Sequence, residues 1–167
     1  ARISLLDVDR VTRQVLAAGL AYDTVYDRAG LVVTQASQVN EGTSPSDGLA
    51  AFCSSQRFAA GEAGFQDEVL LTGEESDHGT HWALDVAART LWAAPALGRG
   101  AWENTCALAT PCSDRVALLM GDDRPGAPLY LWIGEVQAGG GFLARNGLAA
   151  GRLYVWAAAN GDTTPEQ

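Results

Sequence analysis

Three short segments between residues 69 and 132 carry acidic residues at the expected ends of strands. These acidic residues are the ones in this chain best suited to chemistry. The segments are Leu70-Leu71-Thr72-Gly73-Glu74-Glu75-Ser76, Ala101-Trp102-Glu103-Asn104 and Leu119-Met120-Gly121-Asp122-Asp123-Arg124-Pro125-Gly126. In the first and third, an apolar run breaks at a glycine and two carboxylates follow at once. A strand that ends in this way points its carboxylates out of the end of a sheet, where loops can direct them to one place. Because Ca²⁺ binds roughly six to eight oxygen ligands, three such ends predict a hard-cation site.

Five carboxylates are candidate cation ligands: Glu74, Glu75, Glu103, Asp122 and Asp123. Glu75, Glu103 and Asp122 are the first choices. Adjacent acids on a bend cannot both face the same way, so we expect one member of each pair to be structural. The alternative is that strand ends are exposed and acidic residues favour exposure.

Two residues beside these carboxylates are candidates for contact with a phosphate group. Arg124 carries a planar, permanently charged guanidinium that suits bidentate phosphate recognition. Asn104 can donate a hydrogen bond to an oxyanion through its amide. The alternatives are that Arg124 pairs with Asp122 or Asp123 on an exposed turn, and that Asn104 caps its own turn.

The histidines and cysteines give no zinc pattern. His78 and His81 lie three positions apart near the first acidic pair, but in a strand and its loop they need not share a face. Cys53, Cys106 and Cys112 contain no C-x-x-C spacing. A local disulfide between Cys106 and Cys112 is geometrically possible, and a reduced, buried Cys53 is the preferred interpretation.

Composition excludes several classes of protein. The 167 residues suffice for one domain with a real core, and the formal net charge of −9 argues against a nucleic-acid partner. No apolar run approaches the roughly 18 residues that a membrane span needs. The chain opens on a strand-like run at Ile3, so no signal peptide is visible.

Short apolar runs bounded by turn residues predict an all-β chain with at least eight strands and no helix of three turns. Predicted strands include 24–26, 31–34, 69–72, 81–86, 116–120, 129–134 and 151–156. A hairpin is predicted over 3–19. The sequence pattern of its residues 6–12 recurs at residues 84–90. The segment 49–58 is compatible with either a helical turn or an irregular stretch. We expect a β-propeller, or two to three blades of one, with a β-sandwich as the alternative.

The chain resembles the secreted bacterial proteins of the PhoX-type alkaline phosphatase family, including the relatives with no assigned activity. The similar phrases are Phe52-Cys53-Ser54, Gly73-Glu74-Glu75-Ser76, Trp102-Glu103-Asn104, Gly121-Asp122-Asp123 with Pro125-Gly126 and Leu129-Tyr130, and Asn146-Gly147-Leu148 with Gly151-Arg152-Leu153-Tyr154. They occur in the expected order over roughly residues 50–155. The resemblance implies a secreted or periplasmic propeller whose channel holds calcium, and in the PhoX enzymes also iron, and whose chemistry is phosphoester hydrolysis.

The chain departs from the family's pattern at two positions and in length. The enzymes carry an iron-ligating cysteine just before the acidic pair, where this chain has Gly73, and usually a histidine where it has Trp102. Carboxylates alone suit calcium, so we expect Ca²⁺ and not iron. A complete propeller of the family is more than twice as long. We therefore expect residues 1–167 to form a single all-β domain, with a polar tail at 160–167, as part of a larger propeller closed by another chain or by a remainder of the same protein.

Two functions follow from these expectations. The first is a calcium-binding, metal-dependent phosphoester hydrolase that acts on a small-molecule ester, with Arg124 and Asn104 as catalytic residues. The second is a non-catalytic, calcium-stabilised propeller that serves as an extracellular structural or adhesion module.

Overall fold

A computed structural model describes residues 1–39, 48–157 and 159, and most of its regular structure is β-strand. The strands are β1 (Ser4–Val8), β2 (Val15–Leu20), β3 (Thr24–Tyr26), β4 (Phe52–Phe58), β5 (Val69–Glu74), β6 (His81–Asp85), β7 (Thr90–Ala93), β8 (Trp102–Leu108), β9 (Arg115–Asp122), β10 (Tyr130–Glu135) and β11 (Gly151–Val155). Among the described residues, helical structure is limited to one turn, α1 (Phe142–Arg145), and to 3-10 turns at Ala36–Gln38, Glu62–Gly64 and Pro95–Leu97. The all-β prediction is confirmed.

In the part of the chain that the structure describes, the strands form three open sheets. The hairpin β1–β2 is one, and the second has the order β3-β7-β6-β5-β4. The third has the order β11-β10-β9-β8. Strands β4 to β7 and strands β8 to β11 are thus two successive antiparallel meanders, and β3 joins the first of them in parallel with β7. Strands β4 and β8 are edge strands of their sheets and contact each other.

The side chains of β5 and β6 alternate between two hydrophobic clusters, so the five-stranded sheet buries both of its faces. Val69 and Leu71 on β5 pack in one cluster, whereas Leu70 between them packs in a second. On β6, Ala83 joins the first cluster, and Trp82 joins the second. Successive side chains of a strand point to opposite faces, so the continuous apolar runs of this sheet need a layer on each side.

The first cluster is the core between the two larger sheets. It brings Phe58, Val69 and Leu71 together with residues of the four-stranded sheet, namely Trp102, Val116, Leu118, Met120 and Trp132. The second cluster lies on the other face of the five-stranded sheet, where N-terminal residues including Ile3, Tyr22 and Val33 cover Trp82 and Leu84. Trp82, Trp102 and Trp132 are buried in these two clusters, whereas Trp156 is 44% exposed.

A polar network fastens the two larger sheets at the turn before β5. Asn146 is fully buried, and its Oδ1 accepts hydrogen bonds from the backbone N–H groups of Gln66 and Asp67 at 2.9 and 3.0 Å. Its Nδ2 donates to Asp67 Oδ2 at 2.7 Å and to the Phe142 carbonyl at 2.9 Å. Both N–H donors and both oxygen lone pairs of this amide are therefore used.

The outward face of the four-stranded sheet is apolar. Cys106 pairs with Leu119, Leu119 with Leu131, and Leu131 with Tyr154, so these four residues form one cross-strand row. Leu129, Ile133 and Trp156 extend the same surface. Along the part of the chain that the structure describes, no helix has the length and apolarity to cross a membrane.

Several strand predictions need correction. Segment 49–58, left undecided between a helical turn and an irregular stretch, contains strand β4 from Phe52. Segment 31–34 forms no strand and contributes a single bridge from Val32 to Tyr26. Strand β8 was not predicted, because its middle residues are polar. The predicted hairpin is confirmed as β1–β2, and the predicted tail at 160–167 lies outside the described residues.

Candidate metal centre

Three residues from neighbouring strands meet where the two larger sheets join. Ligand atoms of Cys53, Glu75 and Glu103 all lie within 4.8 Å of one another. Cys53 belongs to β4, Glu103 to β8, and Glu75 directly follows β5. Glu75 also forms an isolated antiparallel bridge with Ala101, which ties the end of the first sheet to the start of β8. Two carboxylates and one thiol therefore converge at this junction.

Strand alternation decides which member of the first acidic pair reaches this group. Leu71 and Gly73 face the four-stranded sheet, so two positions further along the chain Glu75 faces it too. Glu74 points to the opposite face and is 1% exposed. Its carboxylate accepts hydrogen bonds from the N–H groups of Ala50 at 2.8 Å and Thr80 at 3.4 Å, and from the Trp82 indole at 3.3 Å. Glu74 therefore holds a loop and a turn in place.

β-Bulges set the direction of the other two side chains. In β4 the pairing with β5 shifts between Phe52 and Ser55, so that Cys53 lies in the bulge. In β8 the pairing with β9 shifts between Trp102 and Asn104, so that Glu103 is the extra residue. A bulge leaves its extra residue outside the ladder and redirects its side chain. Cys53 and Glu103 thus occupy corresponding positions in the edge strands of two adjacent sheets.

Gly73 permits the close approach of the sheets. A β-carbon on Gly73 would lie 2.4 Å from the carbonyl oxygen of Trp102 and 2.7 Å from its β-carbon. No side chain fits there, so a cysteine at this position is excluded by the packing of this chain. The thiol of the converging group is that of Cys53, in the bulge that faces Gly73 across the β4–β5 pair.

The third acidic segment is organised around an ion pair. Asp122 has a fully buried side chain and accepts a hydrogen bond from the Ala101 N–H at 3.1 Å. Arg124 Nε donates to both of its carboxylate oxygens, at 2.8 and 3.0 Å, and Nη2 donates to Oδ2. The hydrogen bonds that the guanidinium donates to Asp122 raise the pKa of Arg124. Asp123 is exposed. These residues lie beside the junction without joining the three-residue group.

Asn104 and the two histidines occupy different environments. Asn104 is exposed and directly follows Glu103. His78 is exposed, whereas His81 is fully buried. His81 Nε2 lies 2.6 Å from Thr105 Oγ1, and its ring lies 4.6 Å from that of Trp102. Burial lowers the pKa of His81 to about 3.

The donor set fits a metal ion with some affinity for sulfur. Burial raises the pKa of the Cys53 thiol, a backbone hydrogen bond with Ser54 opposes this, and hydrogen bonds with Glu103 and Glu75 add to it. Without a cation the thiol is therefore protonated at neutral pH. A metal ligand must be deprotonated, and a thiolate with carboxylates suits zinc or iron, whereas carboxylates alone suit calcium.

The sequence identified two of the three converging residues. Glu75 and Glu103 were predicted as ligands, and the structure brings them together. Cys53 was predicted as a reduced, buried residue without a metal role. All three cysteines are free thiols, and Cys106 and Cys112 are exposed. Comparison of the chain with known protein families, with curated proteins and with solved structures yields no match.

Proposed function

We propose that this chain is a metal-binding part of a β-propeller that hydrolyses phosphoesters, with the metal held by Cys53, Glu75 and Glu103. The convergence of these three residues within 4.8 Å carries the proposal. The two successive four-stranded meanders support the propeller, because each blade of a propeller is a sheet of that kind. The partner that would complete it is another chain or a further part of the same protein, and the exposed apolar face of β8–β11 supports this. A secreted or periplasmic location rests on the family resemblance alone.

The bound ion would act as a Lewis acid toward an oxygen of the ester. The residues beside the junction would bind the rest of the phosphate. Arg124 has a side chain that is 40% exposed, so an incoming phosphate oxygen can share the guanidinium with Asp122. Asn104 is exposed next to Glu103 and can donate through its amide. Asp122 thereby holds Arg124 in place for the substrate.

Calcium is the ion expected from the carboxylates, and the Cys53 thiol adds zinc and iron as candidates. The sequence argument against iron rested on Gly73, and Cys53 supplies a thiol from the neighbouring strand instead. Elemental mass spectrometry of protein purified without chelator distinguishes the three ions. We expect about one equivalent of metal per chain, and we expect Cys53→Ala to lose zinc or iron but to retain calcium.

The activity is tested with phosphomonoesters and phosphodiesters in the presence of each ion. Hydrolysis that disappears in Glu75→Gln and Glu103→Gln, and persists in Glu74→Gln, supports the proposal. Protein without metal, and without a shift in thermal melting on addition of EGTA, contradicts the metal centre.

A second candidate function is a metal-stabilised structural or adhesion module without catalysis. One observation favours it: Asp122 already engages the Arg124 guanidinium through both Nε and Nη2. This candidate predicts metal binding and a raised melting temperature but no turnover of any ester.

A further inference from the structure

We infer that His81 is a positioning residue for the metal centre, because it holds both buried residues that flank the bulge carrying Glu103. This inference rests on the proposed metal site. His81 itself is not a ligand: its ring lies in the core between the two larger sheets, and it is absent from the converging group of the described residues.

The first link runs through Thr105. His81 Nε2 lies 2.6 Å from Thr105 Oγ1, and both residues are buried, with Thr105 7% exposed and His81 fully enclosed. Thr105 is the first residue after the bulge whose side chain returns to the core. The hydrogen bond therefore fixes the C-terminal side of the bulge against β6.

The second link runs through Trp102. The His81 and Trp102 rings are 4.6 Å apart with an interplanar angle of 38°. Trp102 is the last buried residue before the bulge. Its carbonyl oxygen would lie 2.4 Å from a β-carbon on Gly73, which is the strand partner of His81. His81 thus contacts the residue before the bulge and bonds the residue after it, while Glu103 and Asn104 between them stay exposed.

A neutral imidazole suits this task. His81 Nδ1 has no hydrogen-bond partner among the described residues, and a buried acceptor without a partner is tolerated better than a buried donor. The tautomer with its proton on Nε2, donated to Thr105 Oγ1, is therefore favoured. Partners that orient a metal ligand from outside the coordination sphere commonly change affinity by about 10- to 100-fold when they are removed.

The test separates positioning from general stability. Co²⁺ is the probe, because a bond from cobalt to the Cys53 thiolate gives a charge-transfer absorption that reports the site itself. His81→Phe keeps a ring against Trp102 and removes the hydrogen bond, whereas Thr105→Val removes the hydroxyl at nearly constant shape. Thr105→Ser restores the hydroxyl. Asn146→Ala is the control, because it breaks the buried network at the turn before β5.

We expect His81→Phe and Thr105→Val to weaken Co²⁺ binding by about 10- to 100-fold, and Thr105→Ser to bind as the wild type does. Asn146→Ala is expected to lower the melting temperature and leave Co²⁺ affinity unchanged. Wild-type affinity in both His81→Phe and Thr105→Val overturns the inference, as does an equal loss in Asn146→Ala. Failure of the wild-type protein to bind Co²⁺ overturns the metal centre itself, and the inference with it.

Discussion

Glu74 and Glu75 are neighbours in sequence, and the structure gives them opposite environments. Glu74 is buried and accepts three hydrogen bonds, whereas Glu75 is half-buried in the group with Cys53 and Glu103. The pair is therefore a matched comparison, since the same substitution in adjacent residues separates folding from metal binding.

Glu74→Gln is expected to destabilise the fold by about 2 kcal/mol, because the new amide turns a donor toward N–H groups that need an acceptor. Glu75→Gln is expected to change the free energy of unfolding by less than about 0.5 kcal/mol in metal-free protein and to abolish the metal-induced rise in melting temperature. Urea unfolding with and without metal measures both effects. The assignment is wrong if the two variants exchange these phenotypes.

His81 makes stability depend on pH in the acid range. Its pKa is about 3 in the folded protein against an ordinary value of 6.5, so between these values the unfolded chain binds a proton that the folded chain does not. Stability therefore falls as pH falls from 6.5 toward 3, by up to about 1.4 kcal/mol per pH unit. Urea unfolding across this range measures the slope.

The slope attributable to His81 is the difference between the wild type and His81→Phe. Carboxylates also contribute to acid unfolding, and this subtraction removes their share. His78→Gln is the control, because His78 is exposed on the adjoining loop. Equal slopes in the wild type and His81→Phe would show that His81 takes up its proton without unfolding.

At the residue scale, the sequence predicted the carboxylates but not the thiol. The two-residue period of a strand was enough to expect that one member of an acidic pair faces away. The direction of Cys53 depends on a bulge, and a bulge arises from pairing with β5, which lies outside the local sequence.

At the scale of elements, the two edge strands that carry the site are the ones the sequence described least well. Segment β4 reads Phe-Cys-Ser-Ser-Gln-Arg-Phe, and β8 reads Trp-Glu-Asn-Thr-Cys-Ala-Leu. Both have polar centres and a break in alternation at the bulge. The central strands β5, β6 and β9 each contain an uninterrupted apolar run of three or more residues and were predicted with nearly correct bounds.

Gly73→Ala tests the contact that brings these elements together. The added methyl would meet the backbone of Trp102 at 2.4 Å, and backbone cannot move aside as a side chain can. We expect a loss of about 3 kcal/mol in the free energy of unfolding, together with weaker metal binding because β5 and β8 separate. Gly121→Ala is the control, since the nearest atom to its added methyl is the Asn104 carbonyl oxygen at 4.0 Å. Similar losses in the two variants would point to strand propensity as the cause.

At the scale of the whole molecule, the described sheets form layers with an apolar outer face. Leu129 on this face is 44% exposed and Tyr154 is 45% exposed. A contiguous apolar surface of this kind promotes association. Leu129→Glu is expected to reduce the concentration dependence of the sedimentation coefficient, and Gln137→Glu, which adds the same charge at an exposed turn, is expected to leave it unchanged. A wild-type protein that sediments identically at all concentrations would contradict this expectation.

The larger architecture was predicted only at the level of class. The all-β content follows from short apolar runs and turn residues. The packing of one meander on the next depends on which face of each sheet is buried. On neighbouring strands, Leu118 is buried in the core face, whereas Leu131 is half-buried on the outer face. Both residues are leucines in apolar surroundings, so the sequence does not distinguish the core face from the outer one.

The parallel pair of β3 and β7 has a consequence for the time course of folding. Arg89 donates hydrogen bonds to Asp23, which lies 66 positions earlier in the chain. The rings of Tyr26 and Trp92 stack across the same pair of strands. Hairpins such as β6–β7 close short loops and form early, whereas a distant pairing carries a larger entropic cost and forms late. During synthesis β3 is made before the other four strands of its sheet, and its partner β7 is made last. We therefore expect the first strand made to be the last one paired in this sheet.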